Sequence, residues 1–266
     1  MTRRLLLTGA AGGVAAMLAP GFGTHPDLDG WDLVRTDRVE GRGTDPVDAV
    51  DVVGDLADPA FLARVTGGVD AVVHLAANAD PTASWDDLRV PNVDVVAALL
   101  ATGVPRIVLA SSAHAMGQYA RPGAPLIDPS WPAAPCCAYG ATKAFGEALG
   151  RAHAYRTGAS VVALRLGATT ERPLASSALD GWLGPDDLRQ LVARALAADV
   201  SYAVCPGISA NTRSRWLTHN AIGYHPEQDS ETYAGEVPAD DSWGLCAGRY
   251  GPDDTTLPGA LATGRG

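Results

Sequence analysis

Short apolar runs alternate along this chain with amphipathic stretches, the pattern of β-strands joined by helical crossovers. Arg4–Leu7, Trp31–Thr36, Asp51–Gly54, Ala71–His74, Arg106–Ala110 and Ser160–Leu166 read as strands. Between and after them, Gly13–Leu18, Pro59–Val65, Trp85–Ala101, Ala138–Tyr155 and Pro185–Ala197 read as helices. Apolar strands with polar-faced crossovers call for a parallel sheet covered on both faces, so the expected class is α/β with a doubly wound parallel sheet. After Leu166 the alternation weakens. Residues 167–184 are rich in Thr, Ser and Gly, and 207–235 hold most of the late aromatic residues. The core is therefore expected over 1–166 and a small C-terminal portion over 167–250. The Gly-, Pro- and Thr-rich tail, 251–266, is expected to be poorly ordered.

Composition narrows the function. The 266 residues are 47% hydrophobic, carry a formal charge of −10 and have a pI near 4.9, with no basic run. That balance argues against nucleic-acid and anionic-membrane partners and for a small-molecule substrate. No stretch of about 20 apolar residues reads as a membrane span. Arg3-Arg4 before an alanine-rich stretch resembles a twin-arginine leader. The later segments, however, need Leu5-Leu6-Leu7 as their first strand, so the segment is read as internal and the protein as cytoplasmic. Cys136, Cys137, Cys205 and Cys246 form no C-x-x-C pair and no zinc pattern with the six histidines, and no metal is expected. Adjacent Cys136 and Cys137 read as loop packing ahead of redox sensitivity.

A glycine turn joins the first strand to the first helix in Thr8-Gly9-Ala10-Ala11-Gly12-Gly13-Val14-Ala15. Gly9 permits the tight turn, Gly12 allows close approach of a pyrophosphate, and Ala15 permits close helix–strand contact. The pattern makes the doubly wound sheet Rossmann-type and residues 1–166 a dinucleotide-binding core. Asp37 at the end of the second strand suits the adenosine ribose hydroxyls and repels a 2′-phosphate, which favours NAD; adjacent Arg38 leaves NADP open. Asp55-Leu56 and Leu75-Ala76-Ala77 follow the third and fourth strands, where a dinucleotide crosses the sheet. Asn92 is assigned to the same cofactor surroundings.

The chemistry rests on the only lysine. Of 20 basic residues 19 are Arg, and the remaining one, Lys143, lies four positions after Tyr139. On a helix the two share a face, so the ammonium is expected to lower the phenol's pKa. Lys143 is also expected to bond the nicotinamide ribose. Ser111-Ser112 closes the fifth strand about 27 residues earlier. Ser112, Tyr139 and Lys143 suit hydride transfer at a carbinol carbon: tyrosinate takes the hydroxyl proton, and Ser112 orients the substrate oxygen.

On these motifs the chain resembles the extended short-chain dehydrogenase/reductases, the NAD-dependent epimerase/dehydratase superfamily, and within it the uronate dehydrogenases. Ala110-Ser111-Ser112-Ala113-His114, Arg165-Leu166-Gly167 and Ser209-Ala210-Asn211 with Trp216 carry the closer likeness. The resemblance implies substrate contacts from Ala79, Ser111, Ala113, His114 and Ala168, and a homodimer built on Trp85–Ala101 and Ala138–Tyr155. It also exposes departures. The family's sugar-contacting Asn is Ala113 here, and its carboxylate-holding Ser and Arg are Ala168 and Ser177. Arg172 is the nearby cation proposed to replace them. An NAD-dependent dehydrogenase or ketoreductase acting at a hydroxyl or carbonyl carbon of a sugar or a less polar secondary metabolite leads; a nucleotide-sugar epimerase or dehydratase retaining NAD, or a non-catalytic NAD sensor or scaffold, are the alternatives.

Overall fold

The computed structural model describes residues 3–41, 49–120, 125–240 and 245. The expected tail, 251–266, lies outside the described residues. Seven parallel strands form one sheet in the order β3-β2-β1-β4-β5-β6-β9. They are β1 (Arg3–Thr8), β2 (Trp31–Asp37), β3 (Val52–Val53), β4 (Ala71–His74), β5 (Arg106–Ser112), β6 (Ser160–Leu166) and β9 (Tyr202–Gly207). A separate pair, β7 (Ala168–Thr169) and β8 (Trp182–Leu183), lies beyond it.

Strand periodicity divides the core into two. Leu5 and Leu7 face one side with Val73, Val108, Val162 and Leu164, covered by α1 (Gly13–Leu18), Leu28 beyond the short α2 (Gly21–Thr24), and α7 (Pro185–Ala197). Leu6, Val72, Ile107, Leu109 and Val161 face the other, covered by α3 (Pro59–Thr66), α5 (Val95–Leu100) and Ala154 of α6 (Ala138–Thr157). The order reverses around β1, whose neighbours are β2 and β4, and the crevice beyond the carboxyl ends of these strands is where such sheets bind ligands.

Three departures have local causes. β9 lies outside the expected strands and carries Pro206; among the described residues it pairs with β6 alone, and an edge position tolerates the missing N–H. The single helix expected over Trp85–Ala101 is α4 (Trp85–Arg89), a π-helical turn (Val90–Asp94) and α5. Pro91 sits in that turn, and the backbone widens around it instead of breaking. Finally, α7 and β9 lie beyond residue 166 yet complete the main sheet and its core, so the sheet extends past the expected boundary. No helix among the described residues is long and apolar enough to cross a membrane.

Candidate active site

Two cavities open at the carboxyl ends of the strands. The first, about 610 Å³, is walled by Gly9, Gly12, Asp37, Arg38, Asp55, Leu56, Leu75, Ala76, Ala77 and Ala79. Gly9 holds a φ of +73°, and a Cβ on it would lie 2.6 Å from Ala76 N, so only glycine allows β1 to turn against the β4 loop. The buried Thr8 hydroxyl fastens that loop, accepting from Ala76 N–H at 3.2 Å and lying 2.8 Å from His74 Nδ1. Burial pushes His74 down to about 3, with the Lys143 charge as a second cause. Asp37 Oδ2 accepts from Ala11 N–H at 3.1 Å and Oδ1 from Arg38 N–H at 2.7 Å, which places its carboxylate across the glycine turn.

These residues fit a dinucleotide. The turn presents Gly9 and Gly12 to the space, a carboxylate stands at the end of β2, and Ala76, Ala77 and Ala79 of the β4 loop leave room beside Leu75 and Asn78, in a space within the usual ligand-site range. Ala11, Gly13 and Val14 lie on the turn and the start of α1 without lining the cavity; Val14 packs on the core. Two assignments change. Ala79, expected at the substrate, lines this first cavity. Asn92 is 2% exposed and lines neither large cavity; its amide accepts from Asn78 N–H at 2.8 Å and donates to Asn78 O at 2.9 Å and Thr142 Oγ1 at 3.2 Å. It holds a loop to α6.

Ser112 ends β5, and its hydroxyl accepts from His114 N–H at 3.2 Å. The Tyr139 and His114 rings meet edge to face at 5.5 Å. Burial raises the Tyr139 pKa above its ordinary value; the Ser112 hydroxyl lowers it in part, and the Cys137 sulfur adds to the rise. The expected lowering by Lys143 is absent in this state. Its Nζ donates to Ala110 O at 2.9 Å and stands 5.5 Å from the Tyr139 ring centroid, while burial drops its own pKa to about 8. Lys143 faces a small space of about 20 Å³ with His74 and Thr142, enough for one water. Neither Tyr139 nor Lys143 lines either large cavity; Ser112 and His114 line the second.

That second cavity, about 530 Å³, is bounded by Ser112, Ala113, His114, Ala168, Ser176, Ser177, Asp180, Arg213, Arg215 and Trp216. Ser111, assigned to the substrate, is turned away from it. Its hydroxyl donates to Glu147 Oε1 at 2.6 Å, beside the buried ion pair of Glu147 with Arg165 at 2.8 Å. Arg172 is absent from the wall as well. It is exposed, pairs with Glu236 at 3.4 Å and lies over the Tyr233 ring.

The cations on the wall are Arg213 and Arg215, which the sequence reading missed. Arg213 is held by Glu231 through two hydrogen bonds of 2.7 and 2.9 Å. Arg215 is fixed through its backbone: its carbonyl accepts from Ile127 N–H at 2.7 Å, beside an apolar cluster of Ile127, Ile208, Met116 and Trp216. Burial raises the Asp180 pKa, and Arg215 opposes that rise. The only sequence signal for this pair was its place in the aromatic-rich 207–235 segment.

One further cluster escaped spacing rules. His114, Cys136 and Cys137 bring their ligand atoms within 4.8 Å of one another, because the loop before α6 folds back onto the turn after β5. Backbone hydrogen bonds from Ala134 to Ala115 and from Cys136 to His114 hold it there.

Comparison with known proteins agrees with this geometry. Residues 5–169 match the NAD dependent epimerase/dehydratase family. Uronate dehydrogenase of Pseudomonas putida is 32% identical over 246 residues, covering 89% of this chain and 88% of its own. L-arabinose 1-dehydrogenase (NAD(P)(+)) of Haloferax volcanii is 33% identical over 260 residues, covering 86% and 98%. The crystal structure of the glucuronic acid dehydrogenase of Chromohalobacter salexigens superposes with a TM-score of 0.81 at 29% identity, covering 94% of this chain and 96% of that one. The fold, the glycine turn with its strand-end carboxylate, and these matches place the chain in the NAD dependent epimerase/dehydratase family.

Proposed function

We propose that the protein is an NAD-dependent dehydrogenase that oxidises a CH–OH group of a small sugar, with sugar acids as the favoured substrates. The observation that carries this reading is Ser112 at the end of β5 on the wall of the second cavity, with the Tyr139 ring edge to face with His114 of the same wall. When bound, the dinucleotide supplies the carbon that accepts hydride. Gly9 and Gly12 would receive its pyrophosphate and Asp37 its adenosine ribose. Ser112 Oγ donates to the substrate hydroxyl oxygen and holds it beside Tyr139 Oη. The Tyr139 phenolate takes the hydroxyl proton, and the phenol returns it in the reverse direction. Lys143, whose Nζ donates to Ala110 O here without lowering the phenol pKa, is assigned to bond the nicotinamide ribose.

Arg215 supports the acidic substrate class. It stands where neither Ala168 nor Ser177 can offer a charge, and a guanidinium pairs naturally with a carboxylate. The test is NADH formation with galacturonate and glucuronate against galactose and glucose. The acids should give a kcat/KM at least about tenfold higher, equivalent to about 1.4 kcal/mol, and Arg215→Gln should remove that preference. No NADH from any of the four sugars would reject the reading. Neutral sugars outperforming acids would reject the substrate class alone.

A further inference from the structure

His114, Cys136 and Cys137 have a geometry that proton transfer does not require. His114 Nδ1 lies 3.4 Å from Cys136 Sγ and 3.6 Å from Cys137 Sγ. A tetrahedral zinc ion with Zn–S near 2.3 Å and Zn–N near 2.05 Å separates its sulfur and nitrogen ligands by about 3.6 Å. The imidazole nitrogen therefore already stands at ligand spacing from each sulfur, and the two sulfurs lie within 4.8 Å of each other.

The surroundings keep them there. Cys136 N–H donates to His114 O at 3.3 Å, tying the thiol loop to the imidazole's own backbone. Gly117 leaves the space that the Cys136 sulfur fills, since a Cβ on that glycine would strike it. Cys137 caps α6 in extended backbone, its sulfur accepting from Gly140 N–H at 3.4 Å. At the start of a 20-residue helix the macrodipole favours a negatively charged ligand atom. Two sulfurs and one imidazole select thiophilic cations over magnesium or calcium, and three protein ligands leave a fourth position for an oxygen.

We propose that His114, Cys136 and Cys137 form a binding site for a thiophilic divalent cation of the zinc type, and that its occupation inhibits the enzyme. A cation there would fix His114, which lines the second cavity, and place positive charge beside the Tyr139 ring. Binding depends on the three side chains alone. Inhibition rests on the dehydrogenase reading, so the two are measured separately.

The full chain is titrated with Co²⁺ as a spectroscopic probe, and Zn²⁺ bound after dialysis is counted by elemental analysis. One equivalent should bind with a thiolate-to-cobalt charge-transfer band, and Zn²⁺ should displace the cobalt. Cys136→Ser/Cys137→Ser should lose both band and equivalent, whereas Cys205→Ser, altering a buried thiol on β9, should keep them. If the double variant fails to fold, Cys136→Ser alone should lower affinity by at least about tenfold. Micromolar Zn²⁺ should also suppress wild-type turnover at least about tenfold, reversibly with chelator. No cobalt band in the wild type, or a band retained by the double variant, overturns the site. Stoichiometric binding without inhibition overturns the regulatory half. A cobalt band in a protein inactive on every sugar upholds the site and rejects the dehydrogenase reading.

Discussion

Replacing Asp37 with Asn removes a charge while keeping an oxygen that can accept from Ala11 N–H, now 3.1 Å from the carboxylate. The glycine turn should therefore persist, and the change isolates electrostatics from loop geometry. NADP differs from NAD by a 2′-phosphate on the ribose that Asp37 would hold. Two like unit charges about 4 Å apart repel by about 4 kcal/mol at an effective dielectric of 20 and about 1 kcal/mol in bulk water. The half-buried cavity wall lies between these limits, and Arg38 on the same wall offsets part of the repulsion. A net penalty of about 1–3 kcal/mol corresponds to roughly 5- to 150-fold discrimination against NADPH. Titrations following nicotinamide fluorescence give Kd for NADH and NADPH without any substrate. In Asp37→Asn the ratio of the two constants should fall at least about fivefold, mainly through weaker NADH and stronger NADPH binding. An unchanged ratio, or a wild type that binds both equally, would refute the role of the charge.

Glu147→Gln should destabilise the fold, because it leaves the buried Arg165 guanidinium without its counter-charge at a pair only 5–6% exposed. Loss of one partner of a buried pair costs about 3–5 kcal/mol, and a chain of this size loses roughly 2 °C of Tm per kcal/mol, so a fall of about 6–10 °C is expected by calorimetry. A change within about 2 °C would show that the pair contributes little. His74 imposes a pH dependence. Its pKa is about 3 folded against 6.5 for the free side chain, so between these values the unfolded chain holds the extra proton and stability falls as pH drops. Between pH 7 and pH 5 this group alone should remove about 2 kcal/mol in urea unfolding, and His74→Gln should lose correspondingly less. Equal losses in the two proteins would contradict a neutral, buried imidazole.

Much of the sheet was legible because a parallel sheet buried on both faces leaves unbroken apolar runs. β4 and β6 fall on Ala71–His74 and Ser160–Leu166 as expected, and α1 and α7 on Gly13–Leu18 and Pro185–Ala197. Two of the three departures involve proline: Pro206 sits in the unexpected edge strand, and Pro91 is accommodated in a π-turn. Around the site, legibility tracked sequence distance. The glycine turn and the Tyr139–Lys143 offset are local patterns, readable from one helix or one loop. Arg215 lies on the cavity wall beside a backbone pairing with Ile127, and Arg172 lies off it, paired at the surface with Glu236, and neither long-range contact is encoded locally. Ser111 and Asn92 satisfied the spacing expected of site residues, yet Glu147 and Asn78 engage their side chains. His114 meets Cys136 and Cys137 across a fold-back of more than 20 residues that no local spacing rule encodes.

Turnover by Tyr139→Phe is the most direct measure of the central claim. The variant keeps the ring that packs against His114 but loses the oxygen assigned to the proton. With the best sugar acid and saturating NAD, kcat should fall by about 10²- to 10⁴-fold while the Kd for NADH stays within about threefold. A kcat within about tenfold of the wild type would contradict the account, because the proton would then leave by another route.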